Sequence, residues 1–150
     1  MSQQVKILVE VPESIVGETV ETFWAEETSS GYRLLNSPWY AKGISYLDVV
    51  EASPISDGLF RMGRKVSTAG HSTYRLLIEN DDGWRSYWER LQSLGCTFEE
   101  SRENGFSLLA VDVPPECDIH VAYGLMEAGE NAGMWGFQEG DVNHPINRRH

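Results

Sequence analysis

The first 68 residues are cut by turn chemistry into runs too short for helices, and each run alternates in polarity. Val5-Lys6-Ile7-Leu8-Val9-Glu10-Val11 places Val5, Ile7, Val9 and Val11 on one side, the period of a half-buried strand. Pro12 ends it. Thr19 to Glu26 is a second run, with Val20, Thr22 and Trp24 facing one way and Phe23 and Ala25 the other. Ser29-Ser30-Gly31 turns the chain into Tyr32-Arg33-Leu34-Leu35. After the break at Asn36-Ser37-Pro38, a turn through Gly43 leads into a strand read from Ser45 to Ala52. Asp57-Gly58 is a hairpin pair that leads into Leu59 to Ser67. Five short strands without a helical period predict a small barrel or strongly curled sheet.

At Thr68-Ala69-Gly70 the pattern changes. Ser72 to Glu79 reads as a strand. Trp84, Tyr87, Trp88, Leu91 and Leu94 recur at three- and four-residue spacing, one face of a helix with Gly95 at its C-terminal cap and Asp82 as its N-terminal cap. Cys96 to Arg102 and Phe106 to Val113 are strands around the turn at Glu103-Asn104-Gly105. Pro114-Pro115 opens a second helix marked by Ile119, Ala122, Tyr123 and Met126, and Met134 to Phe137 is a last short strand. The order strand–helix–strand–strand–helix–strand is the split βαβ, or ferredoxin-like, pattern. The expected fold is α+β: a curled or barrel-like half over residues 1–68 packed on a ferredoxin-like half over 69–140, with a loose polar tail over 141–150.

Charge is divided unequally. The net charge is −11; residues 1–75 hold nine acids and seven bases, residues 76–150 fourteen acids and five bases. Nucleic-acid binding relies on cations displacing counterions, so no nucleic acid is expected as partner. No apolar run approaches the about 20 residues of a membrane helix. Met1-Ser2-Gln3-Gln4 has neither the basic region nor the apolar core of a signal peptide. Cys96 and Cys117 are far apart in sequence and form no disulfide framework, so a reducing, cytoplasmic location is the expectation.

Several groups are candidates for chemistry. His71, Tyr74 and Arg75 stand where the two halves join; His71 as a base and Arg75 as an anion clamp would use a cleft there, or both serve packing. Arg61 and Arg64, with Lys65, flank Gly63 and either hold an anion or protect a hairpin edge. Cys117 and His120 sit at a helix start, where a thiol pKa falls, but as metal ligands they lack partners beyond His144. Asp81, Asp82, Glu99, Glu100, Glu103, Glu127 and Glu130 are the dense carboxylates of the second half. They form a solvated surface or the face that meets a basic protein. No phosphate-binding glycine loop, dinucleotide fingerprint or metalloprotease motif occurs, and no cofactor or metal is expected.

Four blocks follow one another in order: Glu21-Thr22-Phe23-Trp24-Ala25-Glu26, Tyr40-Ala41-Lys42-Gly43-Ile44-Ser45-Tyr46-Leu47-Asp48-Val49-Val50-Glu51-Ala52, Gly70-His71-Ser72-Thr73-Tyr74-Arg75, and Ala110-Val111-Asp112-Val113-Pro114-Pro115. Together they resemble the bacterial family called domain of unknown function 4265, over about residues 19–140. The resemblance implies a small bacterial protein and carries no catalytic residues. Within it Trp24, Glu26, Tyr40, Gly43, Asp48, His71 and Tyr74 belong to the family pattern. The expected function is an acidic protein-binding module, with an immunity protein neutralising a basic toxin as its concrete form. The alternative is an enzyme or small-ligand sensor using the cleft near His71.

Overall fold

The computed structural model of the chain describes residues 4–102 and 105–146. Alternation sets the first half. Strands β1 (Gln4–Val11), β2 (Thr19–Thr28), β3 (Gly31–Leu34), β4 (Val49–Ser56) and β5 (Leu59–Ser67) form a closed barrel in sequence order. β1 lies antiparallel to β2 and parallel to β5, where Lys6, Ile7 and Leu8 pair with Leu59, Phe60 and Arg61 and close the ring. Ile7, Phe23, Ala25, Leu34 and Val50 point inward and are fully buried or nearly so. Their neighbours Val20 and Trp24 face solvent, with Lys6 Nζ over the Trp24 ring at 5.1 Å.

The connection from β3 to β4 differs from expectation. β4 begins at Val49, and the stretch read as the start of a strand, from Ser45, is instead a tight turn. Ser45 N donates to Asp48 Oδ2 at 2.8 Å, Asp48 N donates to Ser45 O, and Leu47 takes a positive φ of 67°. This local side-chain bond competes successfully with strand pairing. Tyr40, Ala41 and Ile44 from the same connection fold under the barrel and join its core, and Leu108 enters that core from the second half.

The second half follows as β6 (Ser72–Ile78), α1 (Trp84–Ser93), β7 (Thr97–Ser101), β8 (Leu108–Val113), α2 (Ile119–Asn131) and β9 (Trp135–Asp141). Its four strands form one antiparallel sheet in the order β7-β8-β6-β9. The described residues are therefore mixed α+β, mostly strands, with two helices and a curled five-stranded sheet. Tyr74, Leu76, Leu109 and Val111 on one sheet face pack with Trp84, Trp88 and Leu91 of α1 and Ile119, Ala122 and Met126 of α2. The opposite face carries Thr73, Arg75, Leu77 and Leu108 and meets the barrel. Thr73 Oγ1 donates to Ser45 Oγ at 2.7 Å across that boundary.

Two local expectations are corrected. Asp82 does not cap α1. The N-cap is Gly83, and the side-chain Oδ1 of Asn80 accepts from Asp82 N and Gly83 N instead, the local Asx turn that an asparagine makes with the backbone two residues on. The polar segment after residue 140 is not loose over its described part. β9 runs to Asp141, Asn143 Nδ2 donates to His71 O at 2.7 Å, and His144 is buried.

Candidate functional site

The boundary between barrel and sheet is built from charged side chains that the strands aim inward. Glu21 shares the inward face of β2 with Phe23 and Ala25. Its carboxylate accepts from the backbone N–H groups of Trp39, Tyr40 and Ala41 at 2.6, 3.1 and 2.9 Å, which shapes the β3–β4 connection. Burial pushes the Glu21 carboxyl above its ordinary pKa against the pull of those three donors. Arg75 comes from the facing strand β6 and is only 2 % exposed. Its Nη2 donates to the Ala41 carbonyl, and burial pulls its pKa down.

A third connection is ionic. Lys65 of β5 reaches Asp48 and Asp141, and it donates to the Gly43 carbonyl at 3.3 Å. Ser72 Oγ lies 2.6 Å from His144 Nδ1 and accepts from Asn143 N, while His144 Nε2 lies 2.8 Å from the Pro114 carbonyl. That carbonyl can only accept, so Nε2 carries the proton and Ser72 donates to Nδ1. A buried serine with its hydrogen and lone pairs all engaged is a structural clasp.

His71, Tyr74 and Arg75 do not share one cleft. Adjacent strand residues point to opposite sheet faces, so Tyr74 lies under the helices and Arg75 under the barrel. His71 Nδ1 instead pairs with Asp112 Oδ1 at 2.8 Å, and its ring meets the Tyr46 ring edge to face. Burial raises the Asp112 carboxyl pKa, and His71 opposes that shift. Arg61 and Arg64 do not converge either. Arg61 bonds Glu10 at 2.6 Å and Arg64 bonds Glu51 at 3.0 Å, both on the exposed barrel wall.

Cys117 lies just before the Asp118 N-cap of α2, whose carboxylate accepts from His120 N and Val121 N. Burial raises the Cys117 pKa, the opposite of thiol activation, and raises that of Cys96 as well. The two thiols, distant in sequence, meet in the core. Among the described residues, no group of three or more His, Cys, Asp or Glu is placed to hold a metal. Nor is any helix there long and apolar enough to cross a membrane.

The carboxylates divide into separate sets. Glu103 lies outside the described residues. Asp81 and Asp82 are exposed on the turn before α1. Glu99 is used internally: its carboxylate accepts from Ser37 N at 2.7 Å and from Asn36 Nδ2, tying β7 to the barrel connection. Glu100 accepts from Ser107 Oγ and from Arg102 Nε, and the Ser107 hydroxyl is the main cause of its lowered pKa. Glu127 and Glu130 of α2 stand elsewhere, and Glu139 of β9 joins them. These three line a cavity of about 340 Å³ together with Tyr74, Tyr123 and Phe137. The Tyr123 and Phe137 rings meet at 5.3 Å, and Tyr74 lies 6.3 Å from Tyr123 and 6.5 Å from Phe137. Desolvation first, then the Glu139 charge, pushes the Tyr74 hydroxyl pKa up to about 12. Tyr123 is 42 % exposed, so the aromatic group opens to solvent.

Sequence reasoning missed Glu21, Trp39, Lys42, Glu139, Asp112 as the partner of His71, and His144 as a buried group. For Glu21 a signal existed, since it falls in register with the inward Phe23 and Ala25. For the others the decisive contacts are far apart in sequence.

A solved structure described as a novel crystal structure of a hypothetical protein from Neisseria gonorrhoeae has the same fold. It is 14 % identical, with a TM-score of 0.78, covering 95 % of this chain and 98 % of that one. No curated protein matches the chain. The family model described as "Domain of unknown function (DUF4265)" matches residues 21–137, which includes all four blocks of the sequence resemblance, and the chain belongs to that family.

Proposed function

We propose that this protein is an acidic binding module for a basic protein partner, acting in the cytoplasm, with a ferredoxin-like second half as the scaffold of its binding face. The observation that carries this is the pocket of Tyr74, Tyr123 and Phe137 ringed by Glu127, Glu130 and Glu139. Aromatic faces attract a guanidinium or ammonium through the ring quadrupole, and carboxylates at the rim neutralise it. Such a site takes the end of an arginine or lysine side chain. The surplus of acids in residues 76–150 supplies the longer-range field that speeds association with a basic surface. The ferredoxin-like description is supported by the element order and by the antiparallel order β7-β8-β6-β9. An immunity protein that blocks a basic toxin is the most concrete form of this function.

The test is fluorescence anisotropy with labelled arginine-rich, lysine-rich and uncharged peptides. Binding of the basic peptides alone, weakening steeply with salt and about tenfold in Glu127→Lys, is expected. Equal affinity for the uncharged peptide, or no effect of Glu127→Lys, would refute the proposal. The immunity form is tested by expressing the neighbouring gene with and without this one: toxicity relieved by co-expression supports it, and a neighbour harmless alone removes it.

A further inference from the structure

On the opposite sheet face the charge problem is reversed. Arg75 is buried at the boundary of barrel and sheet, yet among the described residues no carboxylate lies within ion-pair distance of it. Its Nε has no hydrogen-bond partner there, and only Nη2 is engaged, on the Ala41 carbonyl. Glu21, whose charge acts on it, is committed to three backbone N–H groups. Buried cations are ordinarily paired, because a charge taken out of water loses its hydration and needs a partner to replace it.

The surroundings make room for a ligand. Arg75 lines two cavities, of about 270 Å³ and 310 Å³, that share Ile15, Arg75 and Gln138 as walls. Lys42 brings a second cation to the first, and Trp39 and Ile15 bring apolar surface. Gly140 backs the guanidinium: a Cβ there would stand 3.2 Å from Arg75 Cζ and 3.3 Å from Nη1. The absence of a side chain at 140 therefore leaves the fork its space.

We propose that the cavity over Arg75 is a binding site for a small oxyanion, a carboxylate or a phosphate, held by the Arg75 guanidinium and the Lys42 ammonium against the Trp39 indole. A planar guanidinium matches two oxygens of either group. The volume falls just under the usual range of about 300–1,000 Å³ for ligand pockets, so the ligand is small. Glu13 lines the same cavity and repels a second negative charge, which favours monoanions over polyanions. The 270 Å³ cavity with Lys42 and Trp39 meets the cation pocket at Tyr74 only at Gln138, whereas the 310 Å³ cavity shares Glu130, Phe137 and Gln138 with that pocket.

The experiment is a titration of ¹⁵N-labelled protein with pyruvate, inorganic phosphate and citrate, following the arginine Nε–Hε resonances, with sodium chloride at matched ionic strength as control. A saturable shift of the Arg75 resonance by pyruvate or phosphate, absent with chloride, is expected, with citrate weaker. Saturation by only one of the two assigns that oxyanion class. Lys42 is exposed, so Lys42→Met keeps the fold and weakens binding roughly five- to tenfold. The Trp39 indole N–H resonance gives a second readout that survives substitution of Arg75; its saturable shift is lost in Arg75→Lys, which removes the fork. No saturation by any of the three anions, or an affinity unchanged in Lys42→Met, overturns the proposal.

Discussion

Lys65 and Asp48 form an ion pair, Nζ to Oδ2 at 3.1 Å, in which the carboxylate side chain is wholly buried. Asp48 Oδ1 has no hydrogen-bond partner among the described residues, so Lys65 and the Ser45 N–H carry the whole compensation. The same ammonium lies 3.3 Å from Asp141 Oδ2 and thereby joins β5 of the barrel to β9 of the sheet.

Lys65→Met leaves a buried carboxylate unpaired and destabilises the fold by roughly 3 kcal/mol, read from urea unfolding. Partial burial lowers the Lys65 pKa, but the contacts with Asp48 and Asp141 outweigh it and raise the pKa above 10.5. A raised lysine pKa contributes stability in full below the unfolded value and loses it as pH climbs through the folded one. The wild type therefore loses its advantage over Lys65→Met above about pH 10.5. An advantage that persists unchanged to higher pH would contradict the pairing.

Two glycines in α2 have opposite roles. Gly129 faces the Trp135 indole, and a Cβ there would stand 2.7 Å from Trp135 Nε1. That indole is fully buried, with its N–H donating to the Met126 carbonyl at 2.8 Å. Gly129→Ala costs roughly 3 kcal/mol through overpacking, even though alanine is the better helix former. Gly124 meets nothing within 4 Å, so Gly124→Ala stabilises by about 0.5–1 kcal/mol. Thermal unfolding of the pair checks both signs.

Ser72→Ala removes one hydroxyl and strands His144 Nδ1, Asn143 N and His144 N together. The expected cost is roughly 2–3 kcal/mol, with hydrogen exchange at residues 141–144 accelerating before that of the sheet interior. Uniform exchange across both segments would show that the clasp is not local.

The strand periods and turn signals were legible because they are local. Alternation identified the apolar face of β1 and sorted β2 into two faces without assigning the inward one, and three- and four-residue spacing identified α1. The failures have different causes: a local side-chain bond, strand pleating left unapplied, and contact between residues distant in sequence. Asp48 continues the alternation of the strand after it, and only the Ser45 bond and the left-handed Leu47 pull it out of β4. Tyr74 and Arg75 looked like one polar group because they are adjacent, although strand geometry sends adjacent side chains to opposite faces. His144 carries no local sign of burial, since its partner Ser72 lies 72 residues away. Glu21 was readable as inward from its register and was overlooked because charges are normally at the surface.

Tyr74 provides a spectroscopic check on the cation pocket. Its hydroxyl pKa, pushed up to about 12 by burial and then by the Glu139 charge, stands above the ordinary value of 10.0. The folded state thus holds the phenol neutral where the unfolded chain ionises it. Stability from this group is complete below about pH 10 and is lost as pH rises toward 12. Absorbance titration of tyrosinate in the wild type should contain a late component near pH 12 that Tyr74→Phe lacks. Glu139→Gln removes the nearby negative charge and moves that component to lower pH by less than the whole shift, because desolvation is the larger cause. A late component unmoved by Glu139→Gln would place Glu139 too far from Tyr74 to belong to the same pocket.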